Sequence, residues 1–199
     1  MNLLTLLLFS YLIGSIPFSL IFAKLLKGVD VRQIGTGNVG ASNTLISAGK
    51  TAGILAALFD LTKGFAVIIM ARSFSNSDWV IALAGFLAIL GHDFPIYLKF
   101  KGGKGVATTM GAILAINPYA VWVGIGIYIV LLFLTRYLIL STLLAVSVLP
   151  LVLFYQKENV WYIIFAIAAA LLMIFVHRED IRRLIAGRET RFPEVASKV

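Results

Sequence analysis

Long runs of hydrocarbon alternate along this chain with short polar segments, and the lengths of the runs decide what they form. Residues 3–26, 51–70, 79–98, 119–134, 137–155 and 160–176 are almost wholly apolar. A helix that crosses a bilayer needs about 20 such residues, with a usable range of about 17–25. These six stretches therefore predict membrane-spanning helices, the first weakened at Gly14-Ser15-Ile16-Pro17. A seventh apolar run, 106–116, has 11 residues and makes only about 17 Å of helix. It spans only if its flanks also enter the bilayer. The segment 29–50 is polar and glycine-rich and predicts a long loop, 73–78 and Asn117-Pro118 predict turns, and a basic tail follows from His177. The expected fold is an all-α integral membrane protein of seven transmembrane helices, with polar loops and short or re-entrant helices on one face. Residues 1–191 form one domain in this reading, and 192–199 a disordered tail.

Charge gives the orientation. Loops on the cytoplasmic side carry the excess of lysine and arginine. An external N-terminus and seven spans put fourteen basic residues inside, including Lys24, Lys27, Arg32, Lys50, Lys99, Lys101, Lys104, Arg136 and the six from Arg178 onward. Only Arg72 and Lys157 fall outside, and Lys63 lies within a span. The wrong number of spans would scramble this division, so the C-terminus is expected to be cytoplasmic. The polar segments 28–50, 91–105 and 177–191 then share the cytoplasmic side, where one site could draw on all three.

Composition adds two limits. Hydrophobic residues make up 60% and charged ones 13%, where soluble domains sit nearer half and a quarter. The chain contains no cysteine, which excludes disulfides, thiolate nucleophiles and Cys-bound metal. The first apolar run has no basic n-region and is long for a signal peptide, so it is expected to be retained. The net charge of +8 is scattered over loops between spans, which suits an anionic leaflet or an anionic substrate better than nucleic acid.

The polar segments carry the candidate chemistry. The first holds Arg32, Thr36, Gly37, Asn38, Ser42 and Asn43: a guanidinium able to grip phosphate in two places, surrounded by hydroxyl and amide donors. Gly35, Gly37 and Gly40 give it a G-x-G-x-x-G spacing. The dinucleotide reading fails because the preceding strand and the ribose-binding acid of a βαβ unit are missing. The second segment, Lys101-Gly102-Gly103-Lys104-Gly105, opens the 106–116 helix next to Thr108 and follows His92 and Asp93. Glycine-rich turns form anion-binding nests, and a helix N-terminus adds its dipole. Leu98 and Gly105 stand where a Walker A motif requires glycine and Ser or Thr, so ATP hydrolysis is disfavoured. Asp60 and Lys63, three residues apart within the second span, can neutralise one another. The third segment sets His177 and Asp180 on one helical face, with Arg178 and Glu189 nearby, while Arg182, Arg183 and Arg188 suit a membrane-surface anchor. Ser141 and Thr142 offer hydroxyls that face the same site or bond their own helix.

Taken together these stretches resemble the bacterial glycerol-3-phosphate acyltransferase family that uses acyl phosphate, the PlsY family. The resemblance covers nearly the whole chain. It rests on residues 14–17, 35–43, Asp60-Leu61-Thr62-Lys63-Gly64, Gly91-His92-Asp93-Phe94-Pro95, 100–108 and 177–180, in that order. It implies transfer of a fatty acyl group from acyl phosphate to the 1-hydroxyl of sn-glycerol 3-phosphate, giving lysophosphatidic acid and phosphate. This is an early step of phospholipid synthesis at the inner face of the bacterial plasma membrane. No cofactor, metal, acyl-CoA or acyl-carrier protein is expected as a direct participant. Functional positions of the family's three motifs map onto Arg32 and Thr36, onto Gly102 to Gly105, and onto His177, Asp180 and Glu189. Lys104, His177 and Asp180 are the expected catalytic residues. Thr36 stands where Ser is common and keeps the hydroxyl. Asp180 stands where Asn is commoner and adds a negative charge, which suits orientation of His177 better than contact with phosphate.

Two rivals come from other classes. A transporter of a phosphorylated solute would show repeats and midplane polar groups, whereas the polar groups here gather at one face. Soluble-type acyltransferases use His-x-x-x-x-Asp, but Tyr97 and Arg182 occupy the fifth position after the two histidines. A purely structural membrane protein leaves the three polar loops unexplained.

Overall fold

The computed structural model describes residues 2–191, and the expected 192–199 tail lies outside them. The described residues form nine α-helices, one 3-10 turn and no strand. They group into two compact units, one running to Ala112 and the other beginning at Ile113.

In the first unit, α1 (Leu3–Gly14) starts where the Asn2 side chain accepts the Thr5 N–H at 2.8 Å. It stops at Ser15-Ile16-Pro17, because Pro17 has no N–H for the helix ladder. α2 (Phe18–Lys27) resumes and ends on Gly28, which takes the left-handed conformation. Together they make one broken 25-residue apolar element, Leu3–Lys27, as the glycine–proline interruption predicts. α3 (Ala41–Phe74) is the main departure from expectation. The segment read as loop to residue 50 becomes helical at Ala41, and a kink at Gly49 separates its first two turns from the apolar remainder. Gly49 has φ 86°, a conformation that only glycine adopts without strain. α4 (Asp78–Asp93) ends before Pro95, so the third apolar run finishes as a 3-10 turn, Ile96–Leu98, rather than as continuous helix. α5 (Val106–Ile116) is the short apolar helix.

Small residues let these helices approach. Ala23, Ala52, Ala56, Ala71, Ala84 and Ala88 are wholly buried, while Leu4, Leu25, Ile54 and Leu58 are exposed. That arrangement suits hydrocarbon solvent, where packing of small side chains replaces the hydrophobic effect as the source of helix association. α1 packs on α4 and α2 on α3. Tyr11 also donates to the Phe94 carbonyl at 2.7 Å, tying α1 to the end of α4.

In the second unit, α6 (Pro118–Thr135) begins with Pro118 in its first turn and Asn117 accepting the Ala120 N–H. Both are preferred at helix starts. α7 (Leu138–Tyr155) carries Pro150 inside it, and α8 (Val160–Val176) meets α9 (Arg178–Ile185) at a 62° bend. Phe133, Leu134, Phe154 and Leu171 are exposed apolar side chains. Five helical elements are long and apolar enough to cross a membrane, and α8 with α9 makes a sixth. The fold is thus an all-helical membrane fold with five or six such elements among the described residues.

Candidate functional site

The first loop is tied by one side chain. Asn43, at the start of α3, donates to the carbonyls of Val31, Ile34 and Asn38 at 2.7, 3.1 and 3.0 Å and accepts the Thr36 N–H at 2.9 Å. It is 2% exposed, so its amide is consumed in shaping the 31–38 turn. Its expected place is contact with substrate; its observed place is behind the loop. Thr36, Gly37 and Ser42 are exposed, and Asn38 is half-buried. The exposed Arg32 is clasped by its own neighbour: Nε donates to Asp30 Oδ1 at 2.9 Å and Nη2 to Oδ2 at 2.6 Å. That hydrogen-bonded guanidinium holds the Asp30 carboxyl at about 2, below its ordinary 3.8. A phosphate would have to compete with this carboxylate for Arg32.

The second segment hangs from the end of α4. Lys99 and Phe100 both take left-handed conformations, φ 52° and 62°, which is strained for non-glycine residues and clusters at functional turns. The Gly102 N–H donates to the Asp93 carbonyl at 3.1 Å and the Gly103 N–H to the His92 carbonyl at 3.0 Å. Here the nest expectation needs correction. These two amides point inward, so they hold the loop and do not supply donors to an anion. The donors that helix geometry leaves unmatched are those of the first turn of α5. A Cβ at Gly103 would overlap the His92 imidazole, so glycine is required there by close approach. Lys101 is exposed and Lys104 half-buried.

Beneath the loop lies a buried ionic cluster, which the chain's order disguises. Lys63 Nζ sits 2.7 Å from Asp60 Oδ1, 2.7 Å from His92 Nδ1 and 3.2 Å from the Ile16 carbonyl. Asp60 and Lys63 are each 3% exposed at the side chain. The pair is therefore joined to α4 and to the break between α1 and α2. Asp93, 3% exposed, has no hydrogen-bond partner for either carboxylate oxygen among the described residues, and Thr108 Oγ1 is likewise buried and unmatched. Thr108 thus lies inside the helix packing and not on an exposed binding surface.

In the second unit, His177 occupies the α8–α9 bend and is 2% exposed. Its Nδ1 lies 2.8 Å from the Met173 carbonyl. A carbonyl only accepts, so Nδ1 carries a proton, and in the neutral ring the lone pair is on Nε2. Asp180, 4% exposed, is paired with Arg183 Nη2, and Arg183 Nε donates to Glu189 Oε2 at 2.9 Å. Arg183 was expected to anchor at the membrane surface. Instead it bridges both carboxylates, and it balances the charge that Asp brings at position 180. Arg178 is exposed, with its guanidinium over the Phe175 ring at 4.8 Å. Ser141 and Thr142 donate to the carbonyls of Tyr137 and Leu138, each at 2.8 Å, bonding their own helix.

A family model described as glycerol-3-phosphate acyltransferase matches residues 4–187. A glycerol-3-phosphate acyltransferase of Aquifex aeolicus is 41% identical, covering 96% of this chain and all of the relative. One of Bartonella henselae is 43% identical over 92% of this chain and 89% of its own. The crystal structure of PlsY (YgiH), an integral membrane glycerol 3-phosphate acyltransferase, in its glycerol 3-phosphate form superposes with a TM-score of 0.91 at 39% identity, over 98% of each chain. Its lysophosphatidic acid form gives 0.88 at 40% identity, over 96% of this chain and 95% of that one.

Proposed function

This chain belongs to the glycerol-3-phosphate acyltransferase family, and we propose that it transfers a fatty acyl group from acyl phosphate to the 1-hydroxyl of sn-glycerol 3-phosphate. It is an acyltransferase of phospholipid synthesis. The observation that carries the assignment of chemistry to residues is the lysine-bearing glycine loop, pinned to the carbonyls of His92 and Asp93 at the N-terminus of α5.

The reaction asks little covalent chemistry of the protein. The hydroxyl oxygen bonds to the acyl carbon, the bond from that carbon to the phosphate oxygen breaks, and phosphate leaves with the electron pair. Phosphate is already a good leaving group, so neither an acyl-enzyme nor a metal is needed. What remains is positioning, worth about 7–11 kcal/mol, and stabilisation of charge, about 2.7–4 kcal/mol for one well-placed donor. Lys104 and the first turn of α5 are assigned to the departing phosphate, with Lys101 assisting at the exposed edge. His177 Nε2 is assigned the hydroxyl proton, which a substrate phosphate would otherwise take. Asp180 and Glu189, held by Arg183, keep the third segment in place. Arg32, Thr36, Gly37, Asn38 and Ser42 are assigned to substrate phosphate and hydroxyls, while Asn43 shapes their loop. Ser141 and Thr142 keep a second lone pair each for a substrate hydroxyl.

Residues 1–191 act as one acyltransferase domain in this proposal, crossing a bacterial plasma membrane seven times, with α5 as the short crossing, the N-terminus external and the active side cytoplasmic. The uneven division of basic residues supports that orientation. Purified protein offered acyl phosphate, acyl-CoA or acyl-carrier protein tests the donor. Lysophosphatidic acid is expected from acyl phosphate alone, and equal rates from acyl-CoA would overturn the assignment.

A further inference from the structure

Lys63 has three N–H donors and three acceptors around it: Asp60 Oδ1, the Ile16 carbonyl and His92 Nδ1. The carboxylate and the carbonyl can be served only by a donor, and an ammonium has no lone pair to offer the ring. His92 Nδ1 also lies 3.4 Å from Asp60 Oδ1, but its short contact, 2.7 Å, is with the Lys63 ammonium, so Nδ1 accepts from that ammonium and the proton of the neutral imidazole resides on Nε2. That nitrogen lies where a Gly103 side chain would begin. Among the described residues no group accepts from it. The Gly102 and Gly103 amides, which would otherwise face an anion, are committed to the α4 carbonyls.

We propose that His92 Nε2–H is a donor to a phosphoryl oxygen seated on the glycine loop, and that Lys63, held by Asp60, is the positioning residue that keeps the proton on that nitrogen. The inference rests on the reading of the loop as a phosphate site. It gives the buried pair a role besides mutual neutralisation: Asp60 fixes Lys63, Lys63 occupies Nδ1, and the ring presents Nε2–H at Gly103. The phosphoryl group belongs either to acyl phosphate or to glycerol 3-phosphate. KM measured separately for the two distinguishes them, since only the ligand seated at Nε2 loses affinity.

His92→Gln and His92→Asn separate a binding role from a structural one. A glutamine amide reaches the position of Nε2 with a donor, whereas an asparagine amide reaches only Nδ1, where it satisfies Lys63. One KM is expected to rise about threefold in H92Q and about thirtyfold in H92N, with kcat changed less, since a hydrogen bond to a charged group is worth tenfold or more in affinity. The reverse order would show that His92 serves only to satisfy Lys63. Lys104→Ala run in parallel separates the two levels. Full activity there overturns the loop reading itself, whereas a crippled Lys104→Ala with H92N no worse than H92Q overturns only the present inference. If the His92 variants do not fold, 15N spectra of histidine-labelled wild type and of the charge-neutral K63M/D60N double variant decide. Expected is a bare Nδ1 with protonated Nε2 in wild type and a mixture of tautomers in the double variant. A protonated Nδ1 in wild type overturns the proposal.

Discussion

Lys63 Nζ lies 2.7 Å from His92 Nδ1, although 29 residues separate them in the chain, and the same nitrogen lies 2.7 Å from Asp60. One ammonium therefore binds α3 to α4 directly under the loop that α4 feeds. Removing one member of a buried pair leaves the other uncompensated, at about 3–5 kcal/mol. Lys63→Ala is accordingly expected to lower the thermal unfolding temperature in detergent markedly, and K63M/D60N to recover much of the loss. Equal melting of all three proteins would show that the pair contributes nothing.

Gly103→Ala follows from the same geometry. Its methyl would overlap the His92 ring, and the loop must shift to admit it. Activity should fall by at least about tenfold with little change in melting, because a misplacement of about 1 Å can cost about 10²-fold. Comparing kcat/KM with the melting curve checks this.

His177→Ala should reduce kcat by about 10²–10⁴-fold, the usual range for a general base, while leaving KM for both substrates nearly unchanged. Full rate in this variant would assign the proton to a substrate phosphate.

Asn43→Ala removes four hydrogen bonds from the first loop. Each buried group left unmatched costs about 1–3 kcal/mol. The variant should raise substrate KM and increase protease sensitivity within 31–38, read by limited proteolysis.

The Asp30–Arg32 clasp sets a pH expectation. The folded carboxyl titrates at about 2 and the unfolded one at 3.8. Its contribution is thus present above the unfolded value and lost as pH falls through the folded one. Both groups are close to solvent, so the effect on stability is small. Carboxyl NMR of Asp30 should show a midpoint near the lower value in wild type and a return toward the ordinary one in Arg32→Gln.

Much of this was legible from hydropathy. The breaks at Pro17 and Asn117-Pro118 follow from missing amide donors and helix-start preferences, which are local, whereas the stop before Pro95 shortens a run whose hydropathy continues to Leu98. The helical start at Ala41 was not, because Ser42, Asn43 and Thr44 are turn formers by composition and become helical only when Asn43 ties the preceding turn. Asp60 and Lys63 were legible as a pair by their spacing. Their union with His92 was not, since tertiary packing alone brings position 92 to position 63. The glycine loop stands out in the sequence, but the inward direction of its Gly102 and Gly103 amides is set by the end of α4. The sequence of the loop does not encode it. Arginines on an amphipathic helix suit a membrane-surface anchor, whereas the bridge of Arg183 to Asp180 and Glu189 depends on the turn after Ile185.

The most direct test of the account follows acyl phosphate and glycerol 3-phosphate by 31P NMR in detergent, where no second compartment exists for a carrier to use. Wild-type protein is predicted to convert them to equal amounts of phosphate and lysophosphatidic acid. Folded Lys104→Ala is predicted to be slower by about 10²–10³-fold, the loss expected for one charge-stabilising donor. No conversion by wild type, or undiminished conversion by Lys104→Ala, would contradict it.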